Sequence, residues 1–197
     1  MVYFIRMVYL RLWLVSILVY CSLTNASGQG TSVKAGINVS SIAGIHEVST
    51  LIGYHVGIGG VKELSDILSI RHELIFSQQG TKVSADEKLV NYYLNIPILL
   101  NVGLGESFFL GVGPQAGIAL RGLMKGESDR DVTANLSVVD FSVCLGIGYR
   151  MSERFFAEGR YNAGMTNLSR ISESDQRNAV FQGSVGYYFN RMNTDSK

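Results

Sequence analysis

Proline, tryptophan, cysteine and charge are all scarce in this chain of 197 residues. Two cysteines, Cys21 and Cys144, cannot build a disulfide framework. Cys21 falls in a segment expected to be removed. Cys144 then stands alone, and a lone cysteine within a strand reads as a small buried side chain rather than a nucleophile. Charged residues make up 17%, against roughly 25% in a typical soluble domain. The net charge of +1 gives no broad electrostatic case for nucleic acid. His46, His55 and His72 have no ligand-type companion at i+2 or i+4 and no Cys/His cluster, so neither a metal nor a cofactor is expected. The glycine-rich stretches Gly57-Ile58-Gly59-Gly60 and Gly111-Val112-Gly113 are followed by no helix, which argues against a phosphate cradle. Beyond the N-terminal region no run approaches the roughly 18–20 apolar residues of a spanning helix. If this chain crosses a membrane, strands must do the crossing.

What is abundant points the same way. There are 22 glycines, 10 tyrosines and 9 phenylalanines. The first segment reads as an address: Arg6 and Arg11, then the apolar run Leu12 to Cys21, then the small and polar residues Ser22, Thr24, Asn25, Ala26, Ser27 and Gly28. That is the order of a secretory signal, with cleavage fitting after Gly28 or after Ala26. The run is short for a membrane anchor. Tyr20 before Cys21 does not suit a lipoprotein signal. The expected division is a signal peptide over 1–28, a barrel over 29–190 and a short periplasmic tail over 191–197.

From Val33 onward hydrophobicity alternates with period two. Eight strands are expected, at about 33–40, 52–60, 67–77, 89–100, 107–120, 137–149, 154–163 and 179–189. One face is a nearly uncharged band such as Ile52, Tyr54, Val56 and Ile58. The other carries Gly, Asn, Gln and Ser, with Lys34, His55, Arg71, Glu73, Asp140, Glu158 and Arg160 among them. A soluble barrel would show Lys and Glu on its outer face. This polar face is rich in glycine and amides, with few lysines and charges of both signs, so it is assigned to the interior. The expected fold is therefore all-β: an eight-stranded antiparallel up-and-down transmembrane barrel. The aromatics Tyr54, Tyr92, Phe108, Phe109, Phe141, Tyr149, Phe155, Phe156, Tyr161, Tyr187, Tyr188 and Phe189 gather towards strand ends, as interface girdles do. The connections alternate in length. Those over 41–51, 78–88, 121–136 and 164–178 are long, and those over 61–66, 101–106 and 150–153 are short. Long loops outside and tight turns inside would put both termini in the periplasm of a Gram-negative cell.

Several pieces carry a resemblance. They are Lys34-Ala35-Gly36-Ile37-Asn38, Glu73-Leu74-Ile75-Phe76-Ser77-Gln78-Gln79-Gly80, Tyr92-Tyr93-Leu94-Asn95-Ile96-Pro97-Ile98-Leu99 and Gly111-Val112-Gly113-Pro114. Asp140-Phe141, Gly146-Ile147-Gly148, Arg160-Tyr161-Asn162-Ala163-Gly164 and Gly186-Tyr187-Tyr188-Phe189 follow. In this order, over Val33 to Phe189, the chain resembles the PorT-like, porin-family outer-membrane β-barrels. The resemblance implies a location in the outer membrane, among its lipid, and handling by the barrel-assembly machinery through the last strand and its terminal aromatic, Phe189. Residues 191–197 depart from it, since such chains end at or near that aromatic. One branch of the family is tied to protein secretion, and no residue here places the chain in it.

The inward charges Lys34, Arg71, Glu73, Asp140, Glu158 and Arg160 have two readings, a conducting or catalytic path and a network that fills a narrow lumen. Eight strands leave an interior only wide enough for side chains, and buried charges there must pair. The network is preferred, with Arg71 or Arg160 paired to Glu73, Asp140 or Glu158. The expected function is a monomeric, non-enzymatic outer-membrane protein that acts structurally or binds an unidentified partner at its long loops. A small diffusion pore, a soluble ligand-binding barrel and a lipid-modifying enzyme using His46 with Glu47 and Ser49 stand as alternatives.

Overall fold

The computed structural model describes residues 30–43, 49–167 and 176–189. The expected signal peptide and the tail over 191–197 lie outside the described residues. Eight long strands follow one another: β1 (Gly30–Ala43), β2 (Ser49–Glu63), β3 (Leu68–Lys82), β4 (Lys88–Leu104), β5 (Phe108–Lys125), β6 (Val139–Arg150), β7 (Phe155–Gly164) and β8 (Arg177–Tyr188). Each pairs antiparallel with the next, and β8 returns to pair with β1, from Ser32↔Tyr188 to Ala43↔Arg177. The sheet is closed and has no free edge, so the barrel ladder takes up the backbone donors and acceptors that hydrocarbon would leave unpaired. Among the described residues no helix is long and apolar enough to cross a membrane.

Burial decides which face is outside. Ile52 is 71% exposed and Phe181 63%, whereas Arg71, Asn38 and Ser77 are each 0% exposed. Apolar side chains cover the outer wall and polar ones fill the interior, the reverse of a water-soluble barrel.

Several strands run further than the sequence pattern indicates, mostly at the end where long loops were expected. β3 continues to Lys82, and residues 83–87 alone turn it into β4. The expected loop over 78–88 is therefore largely ladder. Gln78-Gln79-Gly80-Thr81-Lys82 has no apolar face, so alternation stops there while backbone pairing continues to Lys82↔Lys88. Of the first expected loop, only 44–48 fall outside the strands, and these lie outside the described residues. The connections 126–138 and 165–176 stay long. The first contains a two-residue strand, Arg130–Asp131, and a short 3-10 turn, Thr133–Asn135. Hydrogen bonds from the hydroxyl and N–H of Thr133 hold the exposed Asp131 carboxyl below its usual range. We call this end the loop end and the other, with residues 64–67, 105–107 and 151–154, the turn end.

The aromatic reading needs correcting at three positions. Phe109, Phe156 and Tyr188 do not belong to a girdle; they are 3%, 0% and 3% exposed and pack inside with Val61. The pairs Phe108-Phe109, Phe155-Phe156 and Tyr187-Tyr188 are adjacent in sequence, and a strand sends adjacent side chains to opposite faces. One ring of each pair joins the outer wall, where Phe155 meets Tyr187 with centroids 5.1 Å apart. The other ring closes the turn end of the lumen. Two inward glycines make room for this floor. A Cβ on Gly148 would lie 2.0 Å from the Phe109 ring, and one on Gly186 2.1 Å from that of Phe156.

Candidate functional site: the filled lumen

Above the aromatic floor, β1, β3 and β7 send five charged side chains to one point. Lys34 Nζ donates to Glu73 Oε2 at 2.9 Å and to Glu158 Oε2 at 3.3 Å. Arg160 Nη1 donates to Glu73 Oε2 at 2.8 Å, and its Nη2 donates to Glu158 Oε1 at 2.9 Å. Arg71 Nη2 donates to Glu158 Oε1, and Arg71 Nε lies 3.5 Å from Glu73 Oε1. Each of the three cations therefore touches both carboxylates. All five side chains are at most 3% exposed. The Arg71 guanidinium also lies 5.1 Å from the centroid of the Phe109 ring, which joins cluster to floor.

The local cause is simple. Arg71-x-Glu73 on β3 and Glu158-x-Arg160 on β7 both use the i, i+2 spacing that puts two side chains on one face of a strand. β3 and β7 are not neighbours in the sheet. The cluster therefore crosses the lumen instead of running along the wall. Desolvation of five charges is expensive, and the arrangement offsets it by giving each cation two opposite partners and each carboxylate three.

Towards the loop end lies a layer of neutral groups. His55 Nδ1 is 2.8 Å from Asn38 Oδ1, and His55 Nε2 is 2.8 Å from Ser184 Oγ. An amide oxygen only accepts, so Nδ1 carries the proton and Nε2 accepts from the Ser184 hydroxyl. Gln182 Nε2 also donates to Asn38 Oδ1, and Asn38 Nδ2 donates to Ser77 Oγ, both at 3.0 Å. A hydroxyl, an imidazole and an amide in line have the order of a nucleophile relay. Here all three are packed into the interior: Ser184 is 7% exposed and His55 2%. No periodicity marks this trio in the sequence, because its members come from three strands. Cys144 is fully buried, with its thiol 3.6 Å from Gln115 Oε1.

Asp140 is not brought to the cluster. It stands at the loop end of β6 and accepts a hydrogen bond from Asn178 Nδ2 at 2.8 Å. The pairing of Asp140 with Arg71 or Arg160 is thus corrected. Its height along β6 sets it above the arginines, and strand parity, which reports only the face, does not show height. His72 is on the outer wall, paired with Gly60, whose missing side chain makes room for the ring. Of the imagined enzyme set, His46 and Glu47 lie outside the described residues, and Ser49 is exposed at the start of β2. Phe189, one residue past β8, is 56% exposed and lies 5.6 Å from the Tyr187 ring.

Comparison with known proteins bears on the whole barrel. The family model described as outer membrane protein beta-barrel domain matches residues 13–189. No sequence among the curated proteins matches. Among solved structures, Neisserial surface protein A superposes with a TM-score of 0.60 at 12% identity, covering 81% of this chain and 97% of that one. Ail, the attachment invasion locus protein of Yersinia pestis, superposes with a TM-score of 0.52 at 12% identity, covering 82% and 99%. Ail in complex with the heparin analogue sucrose octasulfate gives 0.50 at 13% identity, with the same coverage. At these identities the likeness is one of fold.

Proposed function

The chain belongs to the outer membrane protein beta-barrel domain family, and from that premise we propose that it is a closed, non-enzymatic outer-membrane barrel that presents its loop end to a partner outside the cell. The observation that carries this reading is the lumen. The five-charge cluster above an aromatic floor fills the narrow interior with bonded side chains. That leaves the outer wall and the loop end for function. It speaks against the diffusion pore. The Ser184–His55–Asn38 relay is read as structural, since acyl transfer needs a hydroxyl that a substrate can reach. The likeness to PorT-like members rests on sequence pieces such as Lys34-Ala35-Gly36-Ile37-Asn38 and Gly186-Tyr187-Tyr188-Phe189.

The same reading sets the orientation, with both termini periplasmic and residues 126–138 and 165–176 outside. Protease treatment of intact cells tests it. Cleavage is expected within those two connections and not at 64–67 or 151–154. The opposite pattern would reverse the orientation.

A polyanionic partner is favoured by one feature of the loop end. Lys82 pairs in register with Lys88, and Lys88 with Lys125, so three lysines stand side by side on three strands. Like charges directly opposite are unfavourable, and among the described residues none of the three has an ion-pair partner. An anionic sugar or phosphate would relieve them. Ail binds sucrose octasulfate, which makes that compound the first probe. The folded barrel should be retained on a heparin column, and replacing all three lysines by glutamine should release it at markedly lower salt. Equal retention would remove the lysines from the account.

A further inference from the structure

Towards the loop end, the described residues of the lumen hold one charge that the cluster does not use. Lys34, Arg71 and Arg160 are all engaged by Glu73 and Glu158. Asp140, 8% exposed, is hydrogen-bonded by the Asn178 amide, and among the described residues no basic side chain pairs with it. A carboxyl group in such a place either takes up a proton or gains a counter-charge.

Around it, polar atoms without protein partners converge. Among the described residues Asp140 Oδ1 accepts no hydrogen bond, and neither does Asn178 Oδ1, although Asn178 donates to the other Asp140 oxygen. The Tyr93 hydroxyl is an electrostatic neighbour of Asp140 and lies beside the Asn178 side chain without a hydrogen bond of good geometry; its side chain is 1% exposed. Asn95 is 2% exposed, and a Cβ placed on Gly117 would be 2.6 Å from Asn95 Oδ1 and 3.7 Å from Asp140 Cβ, so both line the same space. Asn95 Nδ2 is also unpartnered. Turned over, that amide offers its oxygen instead. Leu136, from the 126–138 connection, roofs the space by packing on Tyr93 and Ala119. One carboxylate, amide oxygens and a hydroxyl form a hard oxygen donor set with a single negative charge. Spacing of histidines and cysteines cannot reveal such a set.

We propose that the loop end of the lumen is a binding site for one monovalent alkali cation, held by Asp140 Oδ1 with the side-chain oxygens of Asn178, Tyr93 and Asn95. A monovalent ion is assigned because a divalent one would leave excess positive charge in the interior, beyond a cluster that already has three cations for two carboxylates. The site does not depend on the proposed function, since a barrel that conducted would keep it.

The test uses the full barrel folded in detergent micelles. Its unfolding midpoint is read by heat-modifiable gel migration in potassium, sodium, calcium or choline chloride at equal ionic strength. Potassium or sodium is expected to raise the midpoint saturably, by about 3 °C over choline, which is too bulky to enter. Asp140→Asn should abolish that difference. Equal midpoints in alkali and choline would overturn the proposal, as would a difference that survives in Asp140→Asn or appears only with calcium. Should the variant not fold, crystals of the unmodified barrel soaked in thallium(I) decide. An anomalous peak within about 3 Å of Asp140 Oδ1 is expected, and its absence overturns the site.

Discussion

The two halves of the lumen solve one problem differently. Both bury charge in a narrow barrel. The half towards the turn end gathers five ionised groups, each touching every group of opposite sign, over a floor of Phe109, Phe156, Tyr188 and Val61. The half towards the loop end has one carboxylate, Asp140, among amides, with several polar atoms left without protein partners. In the first every charge meets opposite charges from the chain itself, although Arg71 Nε and Nη1 make no hydrogen bond of good geometry. In the second, the one carboxylate meets no opposite charge among the described residues.

The largest effect should come from breaking the charge-paired half. Glu158→Gln removes the carboxylate that Lys34, Arg71 and Arg160 share, leaving three buried cations to one partner. A loss of about 3–5 kcal/mol is expected in urea unfolding; a loss near zero would mean the cluster is hydrated and the lumen open. The next effect concerns the floor. Gly148→Ala places a methyl group within the space of the Phe109 ring, for an expected cost of about 1–3 kcal/mol. Pairing it with Phe109→Leu should recover part of that, and failure to do so would put the strain elsewhere. Asp140→Asn, in choline buffer, should change stability by less than about 1 kcal/mol, because among the described residues the charge it removes has no cation to lose. A large loss there would show the two halves to be coupled. The smallest effect belongs to the exposed loop pairs Arg121–Asp131 and Arg130–Glu87, at 3.5 and 3.7 Å. Alanine at any of the four should leave the unfolding midpoint within error.

Much of the charge-paired half can be read from the sequence, and little of the other. Period-two alternation sorts Arg71, Glu73, Glu158 and Arg160 to the inner face, because parity along a strand is a local property. Which of them meet is not local. Lys34 reaches β3 and β7 across the lumen, a contact set by barrel closure and stagger. Height is equally hidden, so Asp140 looks like a member of the cluster until the fold separates them. Adjacent aromatics such as Phe155-Phe156 mislead in another way: clustering by position suggests a girdle, while the pleat splits each pair between wall and floor. The strand end over Gln78 to Lys82 is hidden because it lies past the apolar band and needs only backbone pairing, and a polar ladder looks like a loop.

The central claim is that the interior of this barrel is closed by its own side chains. Recording currents across planar bilayers containing the folded protein tests it most directly. No stable conductance steps are expected for the unmodified chain. Steady steps that scale with voltage and salt would contradict it, and would make the five-charge cluster the lining of a pore.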